Sequence, residues 1–347
     1  MRGPILGTFC LLCAFGHAIP QYKYETMMVV PPNQGGSGSF IRDFEASGKV
    51  VYGPIDGPYR LWDGAKLYTN LKLRDLDVNS AGELTYGGTY FRRSITGPDE
   101  KVPQNNGYDG NIYGITNRGE VYGSYPFGGG IQGEFPFIYN IRTGVLTFPP
   151  KPATHRWESG MIVKMDDHGR YVIAGYNPPF NEPIRQIQGA TFVDGDRVMK
   201  IPLDNDITVM MNGVGAVISA RDPVLPTYSK NGAFKSLDWN PGYSFSNDDI
   251  IPVQFAPGIP TLELWQIDGK SYKQYKIHDV TPSLPSDFKV YHAHIRPDGA
   301  MAAMAERNGQ YYLLKFTPVP EPTTMLALGV GAMAMLRRSR KSPQRPH

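Results

Sequence analysis

Cysteine is the first thing this 347-residue chain lacks: it has two, Cys10 and Cys13, and both fall in the first 18 residues. Those residues carry Arg2, an apolar stretch from Ile5 to Phe15, and the small Gly16 and Ala18 around His17. This is the pattern of a secretory leader cleaved after Ala18. The mature chain then has no cysteine, which excludes disulfides, a thiol nucleophile and cysteine-ligated metal. Phe9 and Leu12 stand where a lipoprotein signal wants a small residue before its cysteine, so no N-terminal lipid is expected. A real charge surplus is also missing. The formal net charge is +3, but Arg2 and five basic residues of the last eleven account for it. Residues 19–318 hold 29 Lys and Arg against 31 Asp and Glu, a net charge of −2, which gives no support for nucleic-acid binding. Long segments of helical period are absent, as are a phosphate loop, a Gly-x-Ser-x-Gly elbow and a sialidase-like Asp-box.

What is present is punctuation. Residues 19–36 are rich in Pro, Gly, Asn and Gln and read as a linker, with Thr26 to Val30 as a candidate strand. From 37 to 318, Gly and Pro interrupt short Tyr, Val, Ile and Phe runs every ten or so residues, an all-β pattern. The stretch from Gly160 to Leu203 shows one unit clearly: Met161–Met165, a turn at Asp166-Asp167-His168-Gly169, Tyr171–Gly175, Ala190–Val193, a turn at Asp194-Gly195-Asp196, and Val198–Ile201. Asn, Asp and Gly tolerate the positive φ that such hairpin turns need. The first turn of the unit recurs at Gly48, Gly82, Gly119, Gly169, Gly215, Asp249 and Gly299, with spacings of 34 to 50 residues and a mean of about 42. A four-stranded propeller blade uses roughly 40 to 50 residues. The predicted fold is an all-β propeller of seven four-stranded blades over 37–318, with Thr26 to Val30 available to complete the last blade near Tyr311 to Phe316. Two β-sandwich domains are the alternative.

The C-terminus carries Val319-Pro320-Glu321-Pro322, then an uncharged stretch from Thr323 to Leu336, then Arg337, Arg338, Arg340 and Lys341, with residues 342–347 as a disordered tail. As a helix the uncharged stretch would span roughly 21 Å, short of a hydrocarbon core of about 30 Å. It predicts a short apolar helix and a marginal anchor, with the basic cluster held at the cytoplasmic face. In this order the three features of 319–341 resemble the PEP-CTERM sorting signal of bacterial envelope proteins. The resemblance implies an exosortase-type membrane transpeptidase as partner, cleavage near the motif and transfer to the cell surface or extracellular polymer. An ordinary tail anchor is the plainer alternative. The repeat units in turn resemble the HAF-type repeats of bacterial extracellular proteins, best at Asp77–Leu84 and Ile115–Gly123.

No residue constellation announces catalysis. His292 and His294 alternate on one strand, with His278 upstream, and could pair on a metal; without a third ligand they read as strand surface. Asp166-Asp167-His168 reads as hairpin turn. Asp194-Gly195-Asp196, Asp204-Asn205-Asp206 and Asn247-Asp248-Asp249 lack the spaced calcium loop, leaving a surface calcium site as the weaker reading and no cofactor as the main one. Tyr108, Tyr113, Tyr122 and Tyr125 read as loop tyrosines that either pack between blades or stack on sugar rings. Gly128-Gly129-Gly130 has no following helix and so cannot cradle phosphate. The sequence predicts an exported, non-enzymatic surface or matrix module, with extracellular polysaccharide as a candidate ligand and no nucleic acid. The alternative is a polysaccharide lyase or hydrolase on a propeller scaffold.

Overall fold

A computed structural model describes residues 20–54, 58–69, 71, 76–126, 134–149, 159–176, 189–201, 208–212, 217–220, 227–230, 233–236, 244–253, 260, 262–268 and 271–320. They form seven antiparallel sheets in chain order, numbered here as blades 1 to 7. Blade 1 comprises Ser39–Phe44, Val50–Pro54, Arg60–Trp62 and Leu67–Tyr68, and blade 2 comprises Asp77–Val78, Leu84–Tyr86, Tyr90–Arg92 and Glu100–Lys101. Blade 3 is built from Asn111–Ile115, Glu120–Pro126, Glu134–Asn140 and Val145–Thr147, and blade 4 from Ser159–Met165, Tyr171–Tyr176, Gly189–Asp194 and Arg197–Ile201. Thr208–Met211, Val217–Ala220, Thr227–Lys230 and Ala233–Ser236 make blade 5. Blade 6 has three strands among the described residues, Ile250–Val253, Glu263–Asp268 and Ser271–Lys276.

Blade 7 draws on both ends of the chain. Lys289–Ile295, Met301–Arg307 and Gln310–Pro318 are its first three strands, and Tyr22–Val29 is the fourth. Tyr22 faces Pro318, Thr26 faces Leu314 and Val29 faces Tyr312, with one bulge between Thr26 and Met28. Part of the segment that reads as linker is thus a ladder strand. It covers what would otherwise be an open edge along 310–318.

The apolar cores lie between blades. Val50 and Tyr52 pack with Ala302, Met304 and Leu313 of blade 7, while Val51, between them, packs with Leu76, Val78 and Leu84 near blade 2. Alternate side chains of one strand therefore reach opposite neighbours, which follows from the two-residue period of a strand. Both faces of these second strands are dry, so they read as unbroken apolar runs such as Ala300 to Ala305. The same arrangement joins blades 2 and 3 through Phe91, Val102 and Ile112, blades 3 and 4 through Tyr122 and Ile162, blades 4 and 5 through Phe192 and Met211, and blades 6 and 7 through Leu264 and Phe316. This is a seven-bladed propeller; a pair of sandwiches would face its sheets in twos.

The turns between first and second strands explain the repeat. In six blades the residue three positions before the turn residue exchanges backbone hydrogen bonds across it. Gly48 N–H donates to Glu45 O at 2.9 Å and Gly82 N–H to Asn79 O at 2.9 Å, and the pattern repeats at Gly119, Gly169, Asp249 and Gly299. All six turn residues have positive φ, including Asp249 at 60°. Gly215 lies outside the described residues, as do the leader with Ala18 and everything after Pro320, including the predicted C-terminal helix. Among the described residues no helix is long and apolar enough to cross a membrane, and the one helix is the four-residue Ile277–Val280.

Candidate functional site

The first strands of the blades surround the ring axis, and at the end bearing the first turns they enclose a cavity of about 340 Å³. Two adjacent strand positions supply about half of its lining. Counting back five from the turn residue gives Asp43 in blade 1, Asp77 in blade 2, Lys164 in blade 4, Ser244 in blade 6 and His294 in blade 7, all facing the cavity. The next residue, Phe44, Val78, Ile115, Met165, Met211, Phe245 or Ile295, is apolar in all seven repeats. Of these, Phe44, Ile115, Met165, Met211, Phe245 and Ile295 touch the cavity as well as the apolar cores, so polar and apolar side chains alternate along its wall.

Several channel residues hold one blade to the next. The inner edge of a blade has no neighbouring strand, so its N–H groups need other partners. Asp43 Oδ2 accepts the Val78 N–H at 3.5 Å, Asp77 Oδ2 accepts the Ile115 N–H at 3.0 Å, and Ser244 Oγ accepts the Ile295 N–H at 2.9 Å. In each case blade n caps blade n+1 at the same register. Blade 3 has Gly114 at this position. An added Cβ there would collide with the Tyr122 hydroxyl and lie 2.7 Å from Asp77 Oδ2. The hydroxyl fills the gap and bonds the Met165 backbone of blade 4, so a second-strand tyrosine does the job of the missing first-strand acceptor. A second series runs two residues further on: Asn79 Nδ2 donates to Thr116 O at 3.0 Å, Asn212 Nδ2 to Ser246 O at 3.0 Å and Arg296 Nη1 to Glu45 O at 3.1 Å. At the rim, Ser80 Oγ donates to Glu45 Oε2, Asn117 Oδ1 accepts the Ser80 N–H, and Asp167 Oδ1 accepts the Asn117 N–H, at 2.6, 2.7 and 2.6 Å.

Two side chains stand apart. Lys164 makes no ion-pair contact with a carboxylate among the described residues, and His294 Nδ1 is buried there without a hydrogen-bond partner. The Tyr122 phenol, then Asp77 and Asp43, hold Lys164 above the ordinary lysine value against the effect of burial. Burial first, then the Lys164 cation, pushes the His294 imidazole down to about 3, and burial lowers His292 to about 4. Asp43 is raised well above the usual aspartate range, first by burial, then by the charges of Asp77 and Glu45 and a hydrogen bond to Asp77. Burial likewise lifts Tyr122 to about 12.

The structure corrects two sequence expectations. His292 and His294 lie on an inner strand and not on a strand surface: His292 is buried, its Nδ1 accepts the Ile41 N–H at 3.0 Å, and His294 lines the cavity. Tyr113, Tyr122 and Tyr125 are strand residues, and of the tyrosines read as loop residues Tyr108 alone lies between strands. Tyr122 and Tyr125 are buried, whereas Tyr108 and Tyr113 are exposed. Asp166 is a turn residue as expected, its Oδ1 accepting the His168 and Arg170 N–H groups at 2.9 Å, yet Asp166 and Asp167 also line the cavity mouth. Asp194 flanks a hairpin turn that contains Asp196, and Asn247 N–H bonds Pro297 O of the next blade. Among the described residues no group of three or more His, Cys, Asp or Glu is placed to hold a metal. Asp204 to Asp206, Gly128 to Gly130, Glu321, Pro322 and Arg337, Arg338, Arg340 and Lys341 lie outside the described residues. Asp43, Asp77, Tyr122, Lys164 and Ser244 escape a search for catalytic motifs because they are far apart in sequence. For Asp43, Asp77, Lys164 and Ser244 the common distance from the turn residue was the available signal, since the turns themselves are legible; Tyr122, on a second strand, carries no such signal.

Residues 318–341 match the PEP-CTERM protein-sorting motif. No curated protein matches the chain. Among solved structures the chain is similar to the β-propeller domain of the Trilobed protease from Pyrococcus furiosus, at 8% identity and a TM-score of 0.43, over 80% of this chain and 93% of that one. It is also similar to the Dos1 propeller, at 11% identity and a TM-score of 0.42 over 80% and 77% of the two chains. A glucose dehydrogenase is similar at 11% identity and a TM-score of 0.37, over 84% and 99%. The sorting motif marks the chain as an exported, cell-surface-associated protein and implies exosortase processing.

Proposed function

We propose that this exported propeller is a non-enzymatic module of the cell surface whose axial cavity takes a polyhydroxylated ligand of the extracellular polysaccharide class. The observation that carries the reading is the commitment of the channel acceptors to blade-to-blade hydrogen bonds, which leaves Lys164 and His294 to meet a ligand. Lys164 donates and a neutral imidazole accepts or donates, a pairing suited to hydroxyl groups. The reading invokes no cofactor.

The carboxyl pair is the feature that favours a hydrolase. Asp43 and Asp77 are hydrogen-bonded to each other, however, whereas glycosidases hold their two carboxyls about 5 to 9.5 Å apart with the scissile bond between them. Proton transfer at neutral pH also works best with groups that titrate near it. His294, at about 3, and Tyr122, at about 12, are moved away from that range in opposite directions.

Before release, the apolar run Met325 to Leu336 parks the chain in the membrane with Arg337, Arg338, Arg340 and Lys341 at the cytoplasmic face, and an exosortase-type transpeptidase cleaves near Pro322. The order of these features in the matched segment supports this step. The test of the ligand reading is affinity electrophoresis of the mature protein in gels containing the producer's extracellular polysaccharide, with parallel assays for new reducing ends and unsaturated uronate. Retardation without turnover is expected, and Lys164→Met should weaken it about tenfold, the scale of one charge-assisted hydrogen bond. Turnover would overturn the non-enzymatic reading; migration unaffected by polysaccharide would overturn the ligand.

A further inference from the structure

The course of blade 7 places the sorting signal at a definite end of the ring. Lys289–Ile295 runs towards the turn at Arg296 to Gly299, Met301–Arg307 runs away from it, and Gln310–Pro318 runs back. Arg296, Pro297 and Asp298 of that turn line the cavity. Pro318 returns to the same spot, since an added Cβ at Gly299 would lie 3.1 Å from Pro318 Cγ. The N-terminal strand starts there too: Tyr22 faces Pro318, and Val319 N–H donates to Gln21 O at 2.8 Å. The ladder can go no further because Pro320 has no N–H. Both chain ends therefore leave the ring beside the cavity, and the matched sorting segment begins at residue 318 with no spacer.

From Val319 to the first residue of the apolar run, Met325, is six residues, a reach of roughly 20 Å even when extended. The leader, if cut after Ala18, lies three residues from Gln21. We propose that the cavity end of the ring is the face held against the lipid headgroups while the chain is parked, so that the cavity opens to external ligand only after sorting cleavage. This rests on the membrane-parking step proposed above. The chemistry of the face fits a hydrated headgroup layer: its turns carry exposed Ser47, Asp167 and His168 and the half-exposed guanidiniums of Arg118 and Arg142.

The mature chain has no cysteine, which permits single-site labelling. Ser47→Cys and His168→Cys place fluorophores at the cavity end, and Ser286→Cys, just ahead of the inner strand of blade 7, places one at the opposite end; all three positions are exposed. The full mature chain is reconstituted into phosphatidylethanolamine–phosphatidylglycerol vesicles containing a headgroup nitroxide lipid, and floated fractions are read. Quenching at positions 47 and 168 is expected to exceed that at 286 several-fold, and the difference should vanish in a chain ending at Pro320. Equal or reversed quenching in floated vesicles overturns the orientation while leaving the parked state intact. Failure to float overturns the parked state and the orientation with it.

Discussion

Five residues before each turn, one strand position carries Asp43, Asp77, Gly114, Lys164, Met210, Ser244 and His294; Asp43, Asp77 and Ser244 are acceptors that serve the backbone, and Lys164 and His294 are not. The division has a pH consequence. His294 and His292 titrate far below an ordinary histidine in the folded chain, at about 3 and 4, so between those values and about 6.5 the unfolded chain binds more protons. Their contribution is present above about pH 6.5 and is lost as pH falls. Asp43 works the other way: its raised value means that stability is lost as pH rises from the ordinary aspartate value through the folded one. Urea midpoints measured from pH 7 to pH 4.5 should fall on the acid side because two imidazoles oppose one carboxyl. His294→Gln should flatten that fall; an equally steep fall in the variant would show that the buried imidazole is not its source.

At the scale of elements, the blade-to-blade caps are the devices that set neighbouring sheets in register. Asp77 in blade 2 is the clearest, because its Oδ2 accepts an N–H of blade 3 at 3.0 Å and sits where Gly114 makes room for it. Asp77→Ala leaves the Ile115 N–H without that partner in a half-buried setting, a loss of about 1–3 kcal/mol. Asp77→Asn keeps an oxygen in place and should recover much of it. Denaturant unfolding of the two variants distinguishes the cases, and equal midpoints for both would remove the cap from the account. The Asn of the turn motif has a similar explanation. Asn79 Oδ1 accepts the Ala81 and Glu83 N–H groups while its Nδ2 reaches Thr116 O, so one side chain builds its own turn and ties it to the next blade. Where the repeat departs from Asn, Arg296 makes the tie to blade 1 instead.

For the whole molecule, closure is the decisive event, since the first and last parts of the chain form one sheet. Without Tyr22–Val29, the strand 310–318 would be an exposed edge, and edges recruit other chains. A mature chain starting at Gly35 is expected to unfold at a lower denaturant concentration than the parent and to scatter light at concentrations where the parent stays clear. A chain ending at Pro320 should keep the parental midpoint, because the ladder ends at Val319. If the N-terminal truncation unfolded like the parent, the closing strand would be dispensable and the placement of both chain ends beside the cavity would matter less.

The amino-acid sequence by itself determined the local features: turns at Gly48, Gly82, Gly119, Gly169, Asp249 and Gly299, because positive φ selects Gly and Asp there, and the sorting motif, because it is read as a contiguous string. Blade number followed from the spacing of those turns. The tertiary structure alone decided that Asp43, Asp77, Lys164 and His294, separated by tens to hundreds of residues, converge on one cavity, and that the sorting signal leaves the ring beside it. The physical reason is that a blade's inner strand has two faces of equal polarity cost until a neighbour covers one of them. Only ring closure establishes which side chains of that strand reach the cavity, and hence whether a histidine on it is surface, cap or ligand group.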